Sequence, residues 1–197
     1  MEGFNSGGTY LAGQIPRVGK NKSELFGTAL FRDNIMIGEL TGDETRYMLM
    51  ARGEFKRGYF TMRDPGKAEL IVALNVRQEE KPKVKVIIGE EGPIIELIIS
   101  LDLDLLSIQS EIKYDIPPLK SVLEERFAED VKHGVESVIN RCQDLEVDVF
   151  LFGTQAVKRF KTIDQLEDYD WNKQFKSAEV NVKVNAQIRR SGTMIVL

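Results

Sequence analysis

An uninterrupted alternation of apolar and polar residues near the C terminus constrains this 197-residue chain more than any other feature. From Ala178 to Ile188 every second residue is apolar, and the residues between them are Glu, Asn, Lys or Gln. Successive side chains of a β-strand point to opposite faces, so the pattern predicts a strand with one buried and one solvated face. We expect this closing strand, 178–192, to be antiparallel and to cover a hydrophobic core.

The first half of the chain has the signals of a sheet interrupted by one helix. Asp33 and Asn34 tolerate the positive φ of a tight hairpin turn between the first two strands. Thr41 and Glu44 fit a capping box and predict a helix that ends near Gly53. Strands are predicted at 25–31, 35–40, 57–62, 67–78, 83–89 and 93–105.

Two turn-forming segments separate the last three of these strands. The segments 78–82 and 89–93 each combine charged residues with Pro, and the second also contains Gly. We interpret both as hairpin turns, which predicts an antiparallel meander.

A long helix is predicted after Pro117, and it runs to about Gln143. A shorter helix at 149–161, capped by Asp148, and one or two helical turns at 164–173 follow. The residues expected on the apolar stripe of the long helix repeat at steps of three and four. They are Leu119, Val122, Leu123, Phe127, Val131, Val135, Val138, Ile139 and Cys142. The shorter helix is expected to bury Phe152, Ala156, Val157 and Phe160.

The order of these elements predicts the α+β class: an antiparallel sheet, made of a meander and the C-terminal strand, with the long helix and shorter helices packed on one face. The Gly-rich residues 1–20 are expected to form a flexible lead-in or linker, and 21–197 a single domain.

Composition excludes several classes of function. The chain is 42% hydrophobic and 29% charged, as is typical of globular proteins, and its net charge of −4 argues against a nucleic-acid partner. No apolar run approaches the roughly 20 residues that span a bilayer. One Cys excludes an internal disulfide and a multi-cysteine zinc site.

The residues that could carry chemistry have simpler interpretations. His133 is the only histidine and is expected to be solvated, while Cys142 lies on the apolar stripe, where a thiol is unreactive. Asp102 and Asp104 lie on the solvated face of a strand. Neither this pair nor the group Asp164, Asp168 and Asp170 has the pattern of a calcium-binding loop. We therefore predict no catalytic residue, no metal and no cofactor.

Trp171 is the one candidate for a partner contact. It lies in a charged stretch between Asp168 and Lys173. Exposed tryptophans often anchor interfaces, and packing against the edge of the sheet is the alternative.

Five segments, in this order, resemble the C-terminal domain of the C subunit of spore germinant receptors, over roughly residues 25–192. They are the hairpin Phe26–Leu40, the helix start Thr41–Arg46, the Asp–Phe–Gly segment Asp148–Gly153, the region of Trp171, and the closing strand through Ile188–Gly192.

This resemblance implies a non-enzymatic subunit of a receptor by which dormant bacterial spores sense nutrients. It implies a lipoprotein on the outer face of the spore inner membrane, associated with the membrane-embedded A and B subunits. Its role would be that of a scaffold or of a docking module that relays ligand binding between subunits. A domain that itself binds a germinant, and an enzyme of unknown type, stay open as alternatives.

Members of this family begin with a signal peptide whose Cys carries the lipid. Residues 1–8 contain neither a basic region, an apolar region nor a Cys. We interpret the chain as a soluble fragment with an added Met1, without the N-terminal lipid anchor that would hold the protein at the membrane surface. A shorter, unanchored member is the alternative.

Overall fold

The computed structural model describes residues 27–32, 34–89, 92–110, 112–114 and 116–191. It confirms the α+β class, with a two-stranded sheet, a five-stranded sheet and a long helix. The lead-in predicted at 1–20 lies outside the described residues. The strands are β1 (Gly27–Arg32), β2 (Ile35–Thr41), β3 (Arg57–Arg63), β4 (Ile71–Arg77), β5 (Lys83–Gly89), β6 (Gly92–Ile108) and β7 (Glu179–Ser191). The helices are α1 (Gly42–Arg52), α2 (Pro117–Asp144), α3 (Gly153–Ala156), α4 (Ile163–Tyr169) and α5 (Trp171–Lys176).

The hairpin β1–β2 and helix α1 follow the local sequence signals. Asn34 adopts a φ of 66° in the turn, and Asp33 lies outside the described residues. The capping box is present: the Glu44 amide donates to the Thr41 hydroxyl at 3.3 Å, and the Thr41 amide donates to the Glu44 carboxylate at 2.7 Å. Gly53 ends α1 with a φ of 71°, a left-handed conformation that glycine adopts without strain.

Strand β6 is the spine of the larger sheet. Its 17 residues pair with β5 over their first part and with β4 over their second part, both antiparallel. One edge of β6 is occupied by β7, which pairs with residues 94–105. This stretch overlaps the residues of β6 that pair with β5 and those that pair with β4, so both of these strands lie at the other edge. The two strands therefore follow one another along that edge, and β3 pairs with β4 outside it.

The segment 78–82 is not a hairpin turn, so the predicted meander is wrong at this point. Arg77 pairs with Asp102 and Lys83 pairs with Ile98, so the chain keeps its direction across the segment. Five residues stand opposite three, which makes the segment a bulged kink in one long interrupted strand. The Gln78 side chain donates to the Met50 carbonyl at 3.0 Å and fixes the kink to the end of α1.

Strand β7 has the predicted alternation but not the predicted direction. Ala178, Val182 and Ile188 are buried, and the residues between them on the other face are exposed. However, β7 runs parallel to β6, from Ile94 opposite Glu179 to Leu105 opposite Ser191. The helix α2 carries the chain back along the sheet, so the next strand starts at the same end as β6, as in any crossover connection. Alternation reports burial and not direction, which is why the expectation of an antiparallel strand was wrong.

The core lies between one face of the sheet and α2. On β6 it contains Ile95, Leu97, Ile99, Leu101 and Leu103, and on α2 it contains Leu123, Phe127, Val131, Val135, Val138, Ile139 and Cys142. The predicted stripe is therefore confirmed from Leu123 onward. Its first two members are exposed instead, Leu119 at 38% and Val122 at 46%, because they lie on the first two turns of the helix and outside its buried face.

The predicted helix 149–161 is much shorter in the structure. It consists of α3 and a 3-10 turn at Val157–Arg159. Phe152 and Ala156 are buried as expected, whereas Val157 is 47% exposed. The carboxylate of Asp148 accepts the amides of Phe150 and Gly153, at 3.0 and 2.7 Å, and holds the residues before α3 in a turn. These bonds replace the helical cap predicted for Asp148.

Candidate partner-binding surface

Trp171 is attached to the loop that precedes α3. Its indole Nε1 donates to the Asp148 carboxylate at 2.8 Å, and the same oxygen accepts the Gly153 amide. A Cβ on Gly153 would lie 2.7 Å from the Trp171 ring, so only glycine lets the indole lie on the backbone here. Trp171 is therefore half-buried and fixed in orientation.

Two residues on either side of this contact have left-handed backbone conformations. Leu151 has a φ of 64°, and Asp170 has a φ of 46° between α4 and α5. Such conformations cost free energy in non-glycine residues. The hydrogen bonds to Asp148 and the packing of Trp171 stabilise this segment in compensation.

Trp171 continues an aromatic array that reaches into the core. Its ring stacks on Phe175 with centroids 6.4 Å apart, and Phe175 contacts the buried Phe152 at 6.2 Å. On the other side Trp171 stacks on Tyr169, which contacts Phe160 at 5.0 Å. Aromatic rings in such a series have little freedom to change rotamer, so the array forms a rigid support.

Three large apolar side chains of the same helical segment are exposed to solvent. Leu151 is 49% exposed, Val157 is 47% exposed and Ile163 is 73% exposed. We call these three residues together with Trp171 the Trp171 surface. An aromatic anchor in a segment that also exposes large apolar side chains is the composition that favours protein interfaces. Trp171 packs on Phe175 and on the backbone at Gly153, and its role as a partner contact stays a prediction.

The residues considered for catalysis are in inert surroundings. Burial raises the pKa of the Cys142 thiol to about 12, so it is not a thiolate at neutral pH. The His133 side chain is 67% exposed and lies 3.0 Å from Glu129 and 3.7 Å from Glu136 on the surface of α2.

The carboxylates considered for calcium have protein partners or lie apart. Asp102 accepts Arg189 at 2.9 Å, Asp104 accepts Asn75 at 3.1 Å, and Asp170 pairs with Lys173. Asp164 and Asp168 are exposed on α4. In the described ranges, no three His, Cys, Asp or Glu side chains are placed to hold a metal ion.

Sequence reasoning missed a buried carboxylate at the junction of the sheet and α2. Asp64 is 1% exposed and accepts hydrogen bonds from the hydroxyls of Ser110 and Tyr114 and from the amides of Gly66 and Lys67. Its partners Ser110 and Tyr114 are 46 and 50 residues away, so no local pattern identifies the cluster. All of these contacts are internal, which indicates a structural role.

A second feature that the sequence did not indicate is an open cleft between α1 and β3, with a volume of about 490 Å³. Its lining includes the buried Phe55 and Arg46, whose guanidinium lies 5.3 Å from the centre of the Phe60 ring. The cleft combines apolar and aromatic side chains with three cationic ones and one carboxylate. Its lining consists of Arg46, Leu49, Glu54, Phe55, Lys56, Arg57, Gly58 and Tyr59.

Residues 26–192 match the family described as "Spore germination B3/GerAC like, C-terminal". Among solved structures, the chain is similar to the crystal structure of the GerBC protein, with a TM-score of 0.64 and 18% identity. The similarity covers 79% of this chain and 48% of that one, so this chain spans about half the length of the protein it matches. At this identity, the similarity shows a shared fold. No curated protein shows significant sequence similarity to the chain. None of the helices in the described residues has the length and apolar character needed to cross a membrane.

Proposed function

The chain belongs to the GerAC-like C-terminal family of spore germination proteins, and we propose that it is a non-enzymatic docking module of a nutrient germinant receptor. In this proposal it binds the membrane-embedded A and B subunits through the Trp171 surface. A lipid anchor elsewhere in the protein holds it at the outer face of the spore inner membrane.

The observation that carries this proposal is the rigid presentation of the Trp171 surface. Asp148, Gly153 and the aromatic array fix the indole before any partner arrives. A preorganised surface loses little conformational entropy on binding, so its apolar contacts contribute more of their free energy to affinity.

The surroundings of the reactive groups support the non-enzymatic part of the proposal. A nucleophile or general base needs an accessible position and a suitable pKa. Cys142 is buried with a raised pKa, and the carboxylates of Asp64 and Asp148 are occupied by hydrogen bonds from the protein itself. These three groups therefore contribute to the fold.

The docking proposal is tested with Ile163→Asp. Ile163 is 73% exposed, so the change leaves the core intact and places a charge in the apolar part of the Trp171 surface. We expect binding to detergent-solubilised A and B subunits to weaken about tenfold or more, as for an interface hot spot. Lys183→Asp, which also introduces an aspartate at an exposed position, on the outer face of the sheet, is the control. Equal binding by the Ile163→Asp variant and the unchanged chain would contradict the proposal.

The cleft favours germinant binding as the second candidate function. Arg46, Lys56 and Arg57 could pair with an anionic group, and Phe55 could contact an apolar one. Small-molecule sites usually enclose most of their ligand, however, and this cleft is open to solvent. We therefore predict that calorimetric titration with amino acids, sugars and nucleosides gives no saturable binding. Micromolar binding that Arg57→Ala abolishes would instead favour the sensor function.

A further inference from the structure

The strand β7 has an open edge. One edge pairs with β6 over nearly the whole length of the strand, and α2 covers the inner face. Along the other edge, in the part of the chain that the structure describes, no backbone group of β7 bonds another strand or loop. The Ile188 amide does contact a side chain: it donates to the Glu124 carboxylate at 2.7 Å.

This contact identifies the backbone groups that point toward the open edge. Residues two apart on a strand direct their N–H and C=O groups to the same side. The register shift in the β6–β7 ladder lies after Ile188, so the strand is regular before it. The outward residues are therefore those of the apolar face: Val180, Val182, Val184 and Ala186.

The open edge has few of the features that prevent strands from pairing. Between Val180 and Ile188 the strand contains no proline, no glycine and no charged residue on its core face. Val184 and Ala186 are only partly buried although they belong to the core face. A long regular edge of this kind is a template for another strand.

We propose that β7 pairs antiparallel with β7 of a second copy of this chain, about a twofold axis at Val184. Val182 then lies opposite Ala186 of the second copy, and Val180 lies opposite Ile188. On pairing, the Ile188 amide exchanges the Glu124 carboxylate for the Val180 carbonyl of the second copy. Each of these pairs is apolar, and each continues the core face from one sheet into the other. The two sheets become one, with both α2 helices on the same side.

The charges of the outer face select this register. With the axis at Val184, Glu179 lies opposite Arg189 of the second copy, and symmetry repeats this ion pair. Arg189 is the residue that the register shift inserts, and its bond to Asp102 places its side chain on the outer face. Lys183 lies opposite Asn185, which is neutral. Moving the axis one residue earlier places Lys183 opposite itself, and moving it one residue later removes the ion pairs. The Arg189 side chain is 52% exposed and bonds Asp102 through Nε, and its terminal nitrogens have no partner among the described residues, so they are available to Glu179.

The test is a charge exchange followed by sedimentation velocity over a range of concentrations. The unchanged chain is expected to dimerise. Glu179→Arg and Arg189→Glu each place like charges opposite one another twice, so each single variant should weaken dimerisation about tenfold or more. The double variant Glu179→Arg/Arg189→Glu restores opposite charges in every pair and should recover the dimer.

Both residues are exposed, and circular dichroism of each variant establishes that the monomer is folded. A folded chain that stays monomeric at the highest soluble concentration would overturn the proposal. A dimer that neither single exchange weakens would also overturn it, because the edge would then not be the interface. The Trp171 surface is unaltered in all of these variants, so the result is independent of the docking proposal.

Discussion

The carboxylate of Asp64 fixes the chain where it leaves the sheet for α2. Burial alone would raise its pKa, but the hydrogen bonds from Ser110, Tyr114 and the Gly66 and Lys67 amides lower the pKa below its ordinary value. In the same cluster, burial and the neighbouring carboxylate raise the pKa of Tyr114 to about 12. The ionised Asp64 and the neutral Tyr114 are therefore the stable forms at neutral pH.

We predict that Asp64 contributes stability that acid removes. The pKa of Asp64 is lower in the folded state than in the unfolded state. The contribution is therefore fully present when the pH is above the pKa of the unfolded state, near 4, and it is lost as the pH falls through the pKa of the folded state. Urea unfolding between neutral and acidic pH measures this dependence. In Asp64→Asn the loss of stability below about pH 4 should be smaller. Asp64→Ala leaves several buried donors without an acceptor and should cost roughly 2–4 kcal/mol at pH 7.

Asp168→Asn is the control, since Asp168 is exposed on α4. If the Asn variant at position 64 lost stability in acid as steeply as the unchanged chain, Asp64 would not be the group responsible.

Single residues also show where the sequence was sufficient. The capping box of Thr41 and Glu44 was predictable because its partners are three residues apart. The Asp148–Trp171 contact joins residues 23 apart, and the Asp64 cluster spans 50. Which distant side chains meet depends on the fold, and no spacing rule encodes it.

At the level of elements, period-two alternation was a reliable guide to burial in β7, but not to its neighbour or direction. A strand paired in either direction has the same alternating faces. The kink at 78–82 shows the same limit for turns. Charged residues and a proline are equally suited to a hairpin and to a bulge, and tertiary contacts such as Gln78 to Met50 determine which one forms.

The two faces of β7 give a matched pair of substitutions. Val182 is 8% exposed and faces α2, whereas Lys183 points to the solvated face. Val182→Asp places an unpaired charge in the core and should cost roughly 3–5 kcal/mol. Lys183→Asp should change the unfolding free energy by no more than about 0.5 kcal/mol. Thermal melts followed by circular dichroism compare the two, and equal small losses would show that the faces are assigned wrongly.

For the molecule as a whole, stability depends on the contact between β7 and β6. The paired residues, 94–105 and 179–191, are far apart in the sequence, and the connection between them contains α2 through α5. Such a pairing joins the middle of the chain to its C-terminal part in one cooperative unit. The sequence predicted the class of this architecture, but the order of strands in the sheet comes from long-range packing that composition and periodicity do not specify.

A chain that ends at Lys176 is therefore predicted to lose its cooperative fold. Without β7, the buried Val182 and Ile188 are missing, and inner-face residues of β6 such as Leu97, which lies opposite Val182, lose a neighbour in the sheet. Burial of one such side chain contributes about 1.5–3 kcal/mol, and a domain has about 5–15 kcal/mol of stability in all. We expect the truncated chain to show no cooperative thermal transition and to bind a dye specific for exposed apolar surface. A synthetic peptide with the sequence of residues 177–191, added in excess, should restore the transition by pairing with β6, whereas the same peptide with Val182→Asp should not. A cooperative transition in the truncated chain alone, within a few degrees of that of the full chain, would mean that the remaining sheet and α2 form the stable unit without β7.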